Sequence, residues 1–224
     1  MARWWILLAL SSSLLLADQA SKLWAARTLT RAFEQEQAAA LPEQVRLFFT
    51  KTKLERQRTP PVVVHPDFFN FKYLENPGAA WGLFGSLPEP VRIPFFHAIS
   101  AVSIGLLAWF YSRVREGRRL LLAALGLIVG GALGNFACRL ARGYVIDFID
   151  WHWRNRYHWP TFNVADIAIS VGLACLVLDV LLGFRRSSEA TEPISGLSLE
   201  APPREDAATP AVEDPVPGDC PEPL

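Results

Sequence analysis

The chain has 224 residues, 51% of them apolar, with 8 Trp and 14 Phe, and its 22 basic residues are balanced by 22 acidic ones. That length suits one domain or one domain with a tail, and no basic stripe of the kind nucleic-acid binding requires is visible. The three cysteines, Cys138 and Cys175 inside apolar runs and Cys220 in a polar stretch, form neither a disulfide framework nor a zinc knuckle.

Crossing the hydrocarbon core takes a helix of about 20 apolar residues. The first apolar run starts at Trp4, is unbroken to Ala17, and continues through Asp18 and Lys22 to Ala26. It reads either as a secretory leader with Arg3 as its basic end or as a spanning helix over 4–26. A leader's cleavage site would fall around an Asp and a Lys, a poor small-residue pattern. In the helix, Asp18 and Lys22 are four apart, share one face and can pair at the membrane edge. Residues 27–92 follow as an external segment. Ala38 to Pro61 is polar and charged, whereas Val62–Val64 and Phe68–Leu74 are β-branched and aromatic and read as short strands.

Three further runs are long enough to span: 93–111, 120–140 and 164–184. The expected fold is therefore mainly α, a four-transmembrane-helix bundle over 1–186 with a small external β-rich region. Residues 187–224 are rich in Pro, Glu, Asp, Ser and Ala, and such a composition predicts a disordered tail. Arg3, the Arg113, Arg115, Arg118 and Arg119 link, and the Arg185–Arg186 pair all fall on one side of four spans. Basic residues in short loops mark the cytoplasmic side, so both termini are expected there.

Ionisable groups near a membrane core are costly and point to function. With that topology Asp18, Lys22, Asn76, Asn135, Arg139, Asp147, Asn163 and Asp166 all converge on the external face. Asp147 lies in the apolar, strand-like Tyr144–Ile149, and Asp166 lies one turn into an apolar helix. Partial desolvation raises carboxyl pKa values, and two facing carboxylates share one proton near neutral pH. Such a pair can activate a water and protonate a leaving amide nitrogen. The plainer readings are that Asp166 favours the helix dipole and that Asp147 pairs with Arg139 or Arg142. Asp150 competes with Asp147, but its neighbours Trp151 and His152 place it in a more solvated stretch.

Four blocks in order resemble the lipoprotein signal peptidase (signal peptidase II) family: Asp18-Gln19-Ala20-Ser21-Lys22; Asn76-Pro77-Gly78-Ala79-Ala80-Trp81-Gly82; Gly130 to Asn135 with Arg139-Leu140 and Gly143 to Phe148; and Phe162-Asn163-Val164-Ala165-Asp166. The resemblance covers residues 4 to 184. It implies a metal-free, cofactor-free aspartic endopeptidase of the bacterial inner membrane. Its substrate would be a diacylglyceryl-modified prolipoprotein, cut before the lipidated Cys at the outer face. By this resemblance Asp147 and Asp166 are the catalytic pair. Asn76, Gly78, Asn135, Arg139, Asn163 and Ala165 would line the site and contact substrate or globomycin-type inhibitors, and Asp18 and Lys22 would support it. A monomer among membrane lipids is expected.

Two features depart from the family pattern. Cys138 stands where an Asp usually precedes the Arg of the third block, and a thiol cannot replace a carboxylate as an Arg partner. On that ground the anchoring of Arg139 is expected to suffer, and the alternative function is a low-activity or inactive paralogue that binds lipoprotein precursors. The external segment before Asn76 is also longer than usual, and the acidic tail is extra.

Two other readings start from individual residues. A metal site built on His152, His158 and an aspartate lacks a familiar ligand spacing, so those His read as exposed or interfacial. A small transporter would spread its polar residues through the membrane depth, whereas here only His97 lies away from the external cluster, where it suits helix packing.

Overall fold

The protein is described by a computed structural model covering residues 2–51, 57–115, 117–154 and 156–189. Among them, four helices are long and apolar enough to cross a membrane. These are α1 (Ala2–Leu29), α4 (Glu89–Arg113), α5 (Arg119–Arg142) and α6 (Val164–Glu189). Two short helices, α2 (Ala32–Gln35) and α3 (Leu41–Thr50), follow α1, and four strands make the external region: β1 (Val62–His65), β2 (Phe69–Asn76), β3 (Val145–Trp153) and β4 (Tyr157–His158).

Helix α5 is central and meets α1, α4 and α6. Its Leu121, Leu122, Leu125 and Val129 form an apolar cluster with Leu7, Tyr111 and Val114. The outward faces of α1, α4 and α6 leave Trp5, Leu16, Val102, Leu106, Leu173 and Leu181 exposed, as a lipid-facing surface requires. Close approach of helices in a membrane depends on small residues. A Cβ at Gly134 of α5 would lie 2.6 Å from Asp18 Oδ2, so only glycine lets α1 seat its polar face there.

The two ends of the bundle differ. At one end the basic residues are tied to the frame: Arg3 Nη1 donates to the Val114 carbonyl at 2.9 Å, and Arg118 pairs with Asp179. At the other end an antiparallel sheet in the order β1-β2-β3-β4 sits against α1. Tyr73, Ile146 and Phe148 from the sheet pack with Ala25, Ala26 and Leu29 of α1 and with Phe33 and Phe48 of α2 and α3.

The sheet is irregular beside Asp147. The Phe148 and Ile149 N–H groups both donate to the Phe162 carbonyl, at 3.1 and 2.9 Å. Both side chains meet the apolar cluster beneath. Two adjacent residues facing one way is the mark of a bulge. It brings Asp147 and Asp150 onto the same, opposite face.

Several expectations are corrected. All four long helices extend beyond their apolar runs, α4 by four residues before Ile93. The polar stretch after Ala38 contains a helix, α3, whose Gln44, Leu47 and Phe48 share one face and turn inward. Asp18 and Lys22 pair as their spacing suggested, at 2.8 Å, and both are buried between helices. Residues 187–189 close α6, and the rest of the expected tail lies outside the described residues.

Candidate active site

Asp147 and Asp166 line one cavity of about 980 Å³ at the sheet end of the bundle. Asp147 comes from β3 and is 2% exposed. Its Oδ1 accepts from Asn163 Nδ2 at 2.6 Å and its Oδ2 from Asn76 Nδ2 at 3.0 Å. It pairs with neither Arg139 nor Arg142. Burial, with the charge of Asp166, pushes its carboxyl up to about 7, while the Asn76 and Asn163 hydrogen bonds and Lys22 pull the other way.

Asp166 is set by the start of α6. Asn163 precedes the helix, its Oδ1 accepts from the Asp166 N–H at 3.2 Å, and Asp166 Oδ2 accepts from the Asn163 N–H at 3.1 Å. This reciprocal pair satisfies two backbone donors at the helix start, in the manner of a capping box. The dipole-side reading of Asp166 is therefore correct as far as one oxygen goes. The other oxygen, Oδ1, turns to Asn135 Nδ2 at 2.9 Å. Asn163 thus ties the two carboxylates together, its amide on Asp147 and its backbone on Asp166.

Behind the pair runs a buried chain. Lys22 Nζ donates to Asp18 Oδ2 at 2.8 Å and to Asn135 Oδ1 at 3.0 Å, and Asn135 Oδ1 also accepts from Asn163 Nδ2 at 3.2 Å. Asp18 Oδ1 accepts from the Ala165 N–H at 3.1 Å. Breaking a buried ion pair by removing one partner costs about 3–5 kcal/mol, so Asp18 and Lys22 hold α1, α5 and α6 in register as well as placing a positive charge near Asp147. Ala165 itself enters through its backbone and is buried.

Asn76 ends β2 and opens a tight loop. Its Oδ1 accepts from the Gly78 N–H at 3.0 Å, and the Gly78 carbonyl accepts from Arg139 Nη2 at 3.1 Å. A Cβ on Gly78 would lie 2.7 Å from the Leu83 carbonyl oxygen, so the turn closes only with glycine. In the same loop Trp81 and Phe84 hold left-handed backbone at φ 56° and 61°, an uncommon conformation for bulky residues that clusters at functional sites. Trp81 is exposed and packs edge-on to Trp159 across the cavity rim.

Cys138 is also placed differently from expectation. Adjacent helix positions point about 100° apart, and Cys138 faces away from Arg139. Its Sγ lies 3.4 Å from Arg142 Nη1 and 3.8 Å from Gln19 Nε2. Arg139 is held by Gly78, stands over the Phe96 ring at 5.1 Å, and has its carbonyl bonded to His97 Nε2 at 3.0 Å. Its Nε is buried without a hydrogen-bond partner among the described residues. The residue that lacks a carboxylate is Arg142, which is buried. Its Nε donates to the Phe48 carbonyl at 2.8 Å and its guanidinium stacks 3.8 Å from the Phe48 ring centroid. The α3 helix, part of the long external segment, thus gives Arg142 a neutral acceptor and a ring face, while the Arg142 Nη2 is buried without a partner among the described residues.

Sequence reasoning missed a second polar group on the cavity wall. Asp150 was expected in a solvated stretch, but it is buried, with Lys72 Nζ at 2.6 Å and His158 Nδ1 at 3.3 Å from its Oδ1. Burial pushes its carboxyl up, but the hydrogen bonds and charges of Lys72 and His158 outweigh that and hold it below the ordinary value. His152, expected at the surface, is buried and meets Asn70 Nδ2 at 2.9 Å. The signal was the alternation of Asn70, Lys72, Leu74 and Asn76 along one strand face. Among the described residues, no group of three His, Cys, Asp or Glu side chains is arranged to hold a metal ion.

Four spanning helices with a carboxylate-bearing cavity at one end define a multi-pass helical membrane protein. The fold is shared with a bacterial membrane enzyme solved by the in meso method at 2.3 Å resolution, with a TM-score of 0.58 and 23% identity over 84% of this chain and 92% of that one. A sequence profile described as signal peptidase (SPase) II matches residues 10–182. The lipoprotein signal peptidase of Anaeromyxobacter sp. (strain Fw109-5) is 44% identical over 179 residues, 79% of this chain and 85% of the relative. That of Geobacter sulfurreducens is 44% identical over 120 residues, 54% of this chain and 73% of the relative. The chain belongs to the signal peptidase II family of lipoprotein signal peptidases, and so to the peptidases.

Proposed function

We propose that this chain is an aspartic endopeptidase that removes signal peptides from diacylglyceryl-modified prolipoproteins, cutting before the lipidated Cys. The observation that carries this reading is the joint placement of Asp147 and Asp166 on one cavity wall, linked through Asn163. A dyad with one raised member shares a proton near neutral pH. Asp147 holds it and hydrogen-bonds the scissile carbonyl oxygen. Asp166 takes a proton from the attacking water, whose oxygen bonds to the carbonyl carbon. Collapse of the tetrahedral intermediate breaks the C–N bond as Asp166 passes the proton it took from water to the leaving nitrogen, which restores the Asp166 carboxylate.

The setting fits that substrate. The cavity wall runs from Ile167, Ile169 and Val171 on α6 up to the polar sheet, so an apolar signal segment and the lipid on the Cys that follows it lie along α6 while the rest of the mature chain leaves past the sheet. Asn76, Gly78, Asn135, Arg139, Asn163 and Ala165 frame the bond to be cut, and globomycin-type inhibitors would occupy the same space. The basic end of the bundle faces the cytoplasm with both termini; the site opens to the outer side of the bacterial inner membrane, and the enzyme acts as a monomer. Cleavage is preferred over precursor binding alone because both carboxylates are present and Cys138 contacts Arg142 and Gln19 instead of them.

The test is cleavage of a diacylglyceryl-modified lipobox peptide by Asp147→Asn and Asp166→Asn, each purified from membranes. Each loses at least about 10³-fold in rate, in the range that removal of an essential acid–base group produces. Turnover at the wild-type rate by either variant ends the assignment.

A further inference from the structure

The cavity has a charged end that the proposed chemistry does not use. Lys72, Asp150 and His158 form one hydrogen-bonded group on the sheet, and Lys72 and His158 line the same cavity as the catalytic pair. The side chain of Asp150 is 3% exposed, whereas those of Lys72 and His158 are 32% and 44% exposed. The carboxylate is therefore hidden and the nitrogen groups face the space. An ammonium carries three N–H donors, and the bond to Asp150 uses one of Lys72's.

Charge is graded along this wall. Near the helix ends it is acidic, with Asp147 and Asp166, and Glu75 also lines the cavity. Arg139, beside them, is turned to the Gly78 carbonyl. At the outer end the exposed groups are Lys72 and His158. Asp147 and Asp150 share a face and stand three residues apart on one strand, or about 10 Å at roughly 3.3 Å per residue. An extended peptide lying along the sheet covers the same span in about three residues.

Resting on the peptidase reading above, we propose that Lys72, braced by Asp150 and His158, forms a subsite for a carboxylate side chain about three residues beyond the scissile bond on the mature side. The direction follows from the cavity itself. Its apolar wall on α6 takes the signal segment, so the outer, polar end receives the chain that follows the cut. The acidic inner end repels the same carboxylate, which fixes the register of the peptide. Lys72 is a specificity residue in this scheme, and Asp150 and His158 position it.

The experiment uses the full chain in detergent and diacylglyceryl-modified lipobox peptides with Glu, Gln or Lys at the first, second or third residue after the Cys. The readout is the ratio of kcat/KM for Glu over Lys at each position. The wild type favours Glu at the second residue after the Cys or a neighbour by about fivefold, as one partly exposed ion pair allows, with the difference carried in KM. Lys72→Arg keeps the preference, and Lys72→Glu reverses it. If Lys72→Glu is not recovered folded, Lys72→Gln serves, and brings the ratio to one. A wild-type ratio of one at all three positions overturns the subsite, as does a Glu preference that survives loss of the Lys72 charge. The Gln peptides report separately on the peptidase reading: if none is cut, that reading falls and takes the subsite with it, whereas cutting without selectivity removes the subsite alone.

Discussion

Asn163→Ser isolates one term of the carboxylate chemistry. Serine keeps an oxygen able to accept the Asp166 N–H, as good start-of-helix residues do, but it has no amide to place 2.6 Å from Asp147 Oδ1. A hydrogen bond to a charged group contributes about 1.5–3 kcal/mol. At 1.36 kcal/mol per pH unit, its loss raises the Asp147 carboxyl by about 1–2 units. The starting value is about 7, set by burial against the opposing hydrogen bonds. In the proposed mechanism Asp147 must hold its proton, so its titration forms the alkaline limb of the kcat/KM profile. The variant's alkaline limb therefore moves upward by about 1–2 pH units, and its activity optimum becomes more alkaline. The assay is the pH dependence of kcat/KM on a lipidated lipobox peptide. An alkaline limb that stays in place, or moves to lower pH, refutes the reasoning.

Three further outcomes follow from the same coordinates. Asp147 has a folded pKa of about 7 against an unfolded value of about 3.9, so the stability its proton gives is present below about pH 4 and lost as pH rises through about 7. Asp147→Asn does not titrate, and thermal-shift measurements show its Tm rising above wild type by a margin that widens over that window; a constant or shrinking margin contradicts the buried, raised carboxyl. Gly134→Ala forces a Cβ against Asp18 Oδ2, separates α1 from α5, and costs about 1–3 kcal/mol; it lowers both Tm and cleavage, and an unchanged Tm refutes the close approach. Cys138→Asp supplies a carboxylate beside Arg142, whose Nη1 now lies 3.4 Å from Sγ; Tm rises by a few degrees with kcat/KM on the lipidated peptide unchanged, and a fall in cleavage shows that residue 138 reaches the site after all.

The helical frame was legible because the apolar runs are long and their polar interruptions few. The same plainness located the site: a Lys, an Arg and several Asn and Asp residues stand out against Leu, Val and Ile, and they converge at one end. What the sequence did not disclose depends on alignments between distant segments. Asp150 and His152 looked solvated because their neighbours are aromatic and polar, and only the pairing of β2 with β3 brings Lys72 and Asn70 to them. Cys138 was assigned to Arg139 by adjacency, although a helix turns neighbouring side chains apart and gives the thiol to Arg142, four positions on. The α3 helix was hidden by the charged residues around it, since its apolar face is recognised only against the Arg142 guanidinium that it covers.

The bulge at Phe148 and Ile149 works as a phase shifter in a two-beat pattern. Upstream of it, odd-numbered Asp147 turns toward the substrate cavity; downstream, even-numbered Asp150 and His152 fall on the same side of the strand, buried behind Lys72 and Asn70. Deleting Ile149 would restore plain alternation with Asp150 still on the side of Asp147 but one residue nearer to it, whereas flattening the bulge with Ile149 kept would turn Asp150 toward the apolar cluster. The bulge therefore lets the reacting carboxylate and the outer charged group share one wall, and separates them by a fixed stride that an extended polypeptide can match.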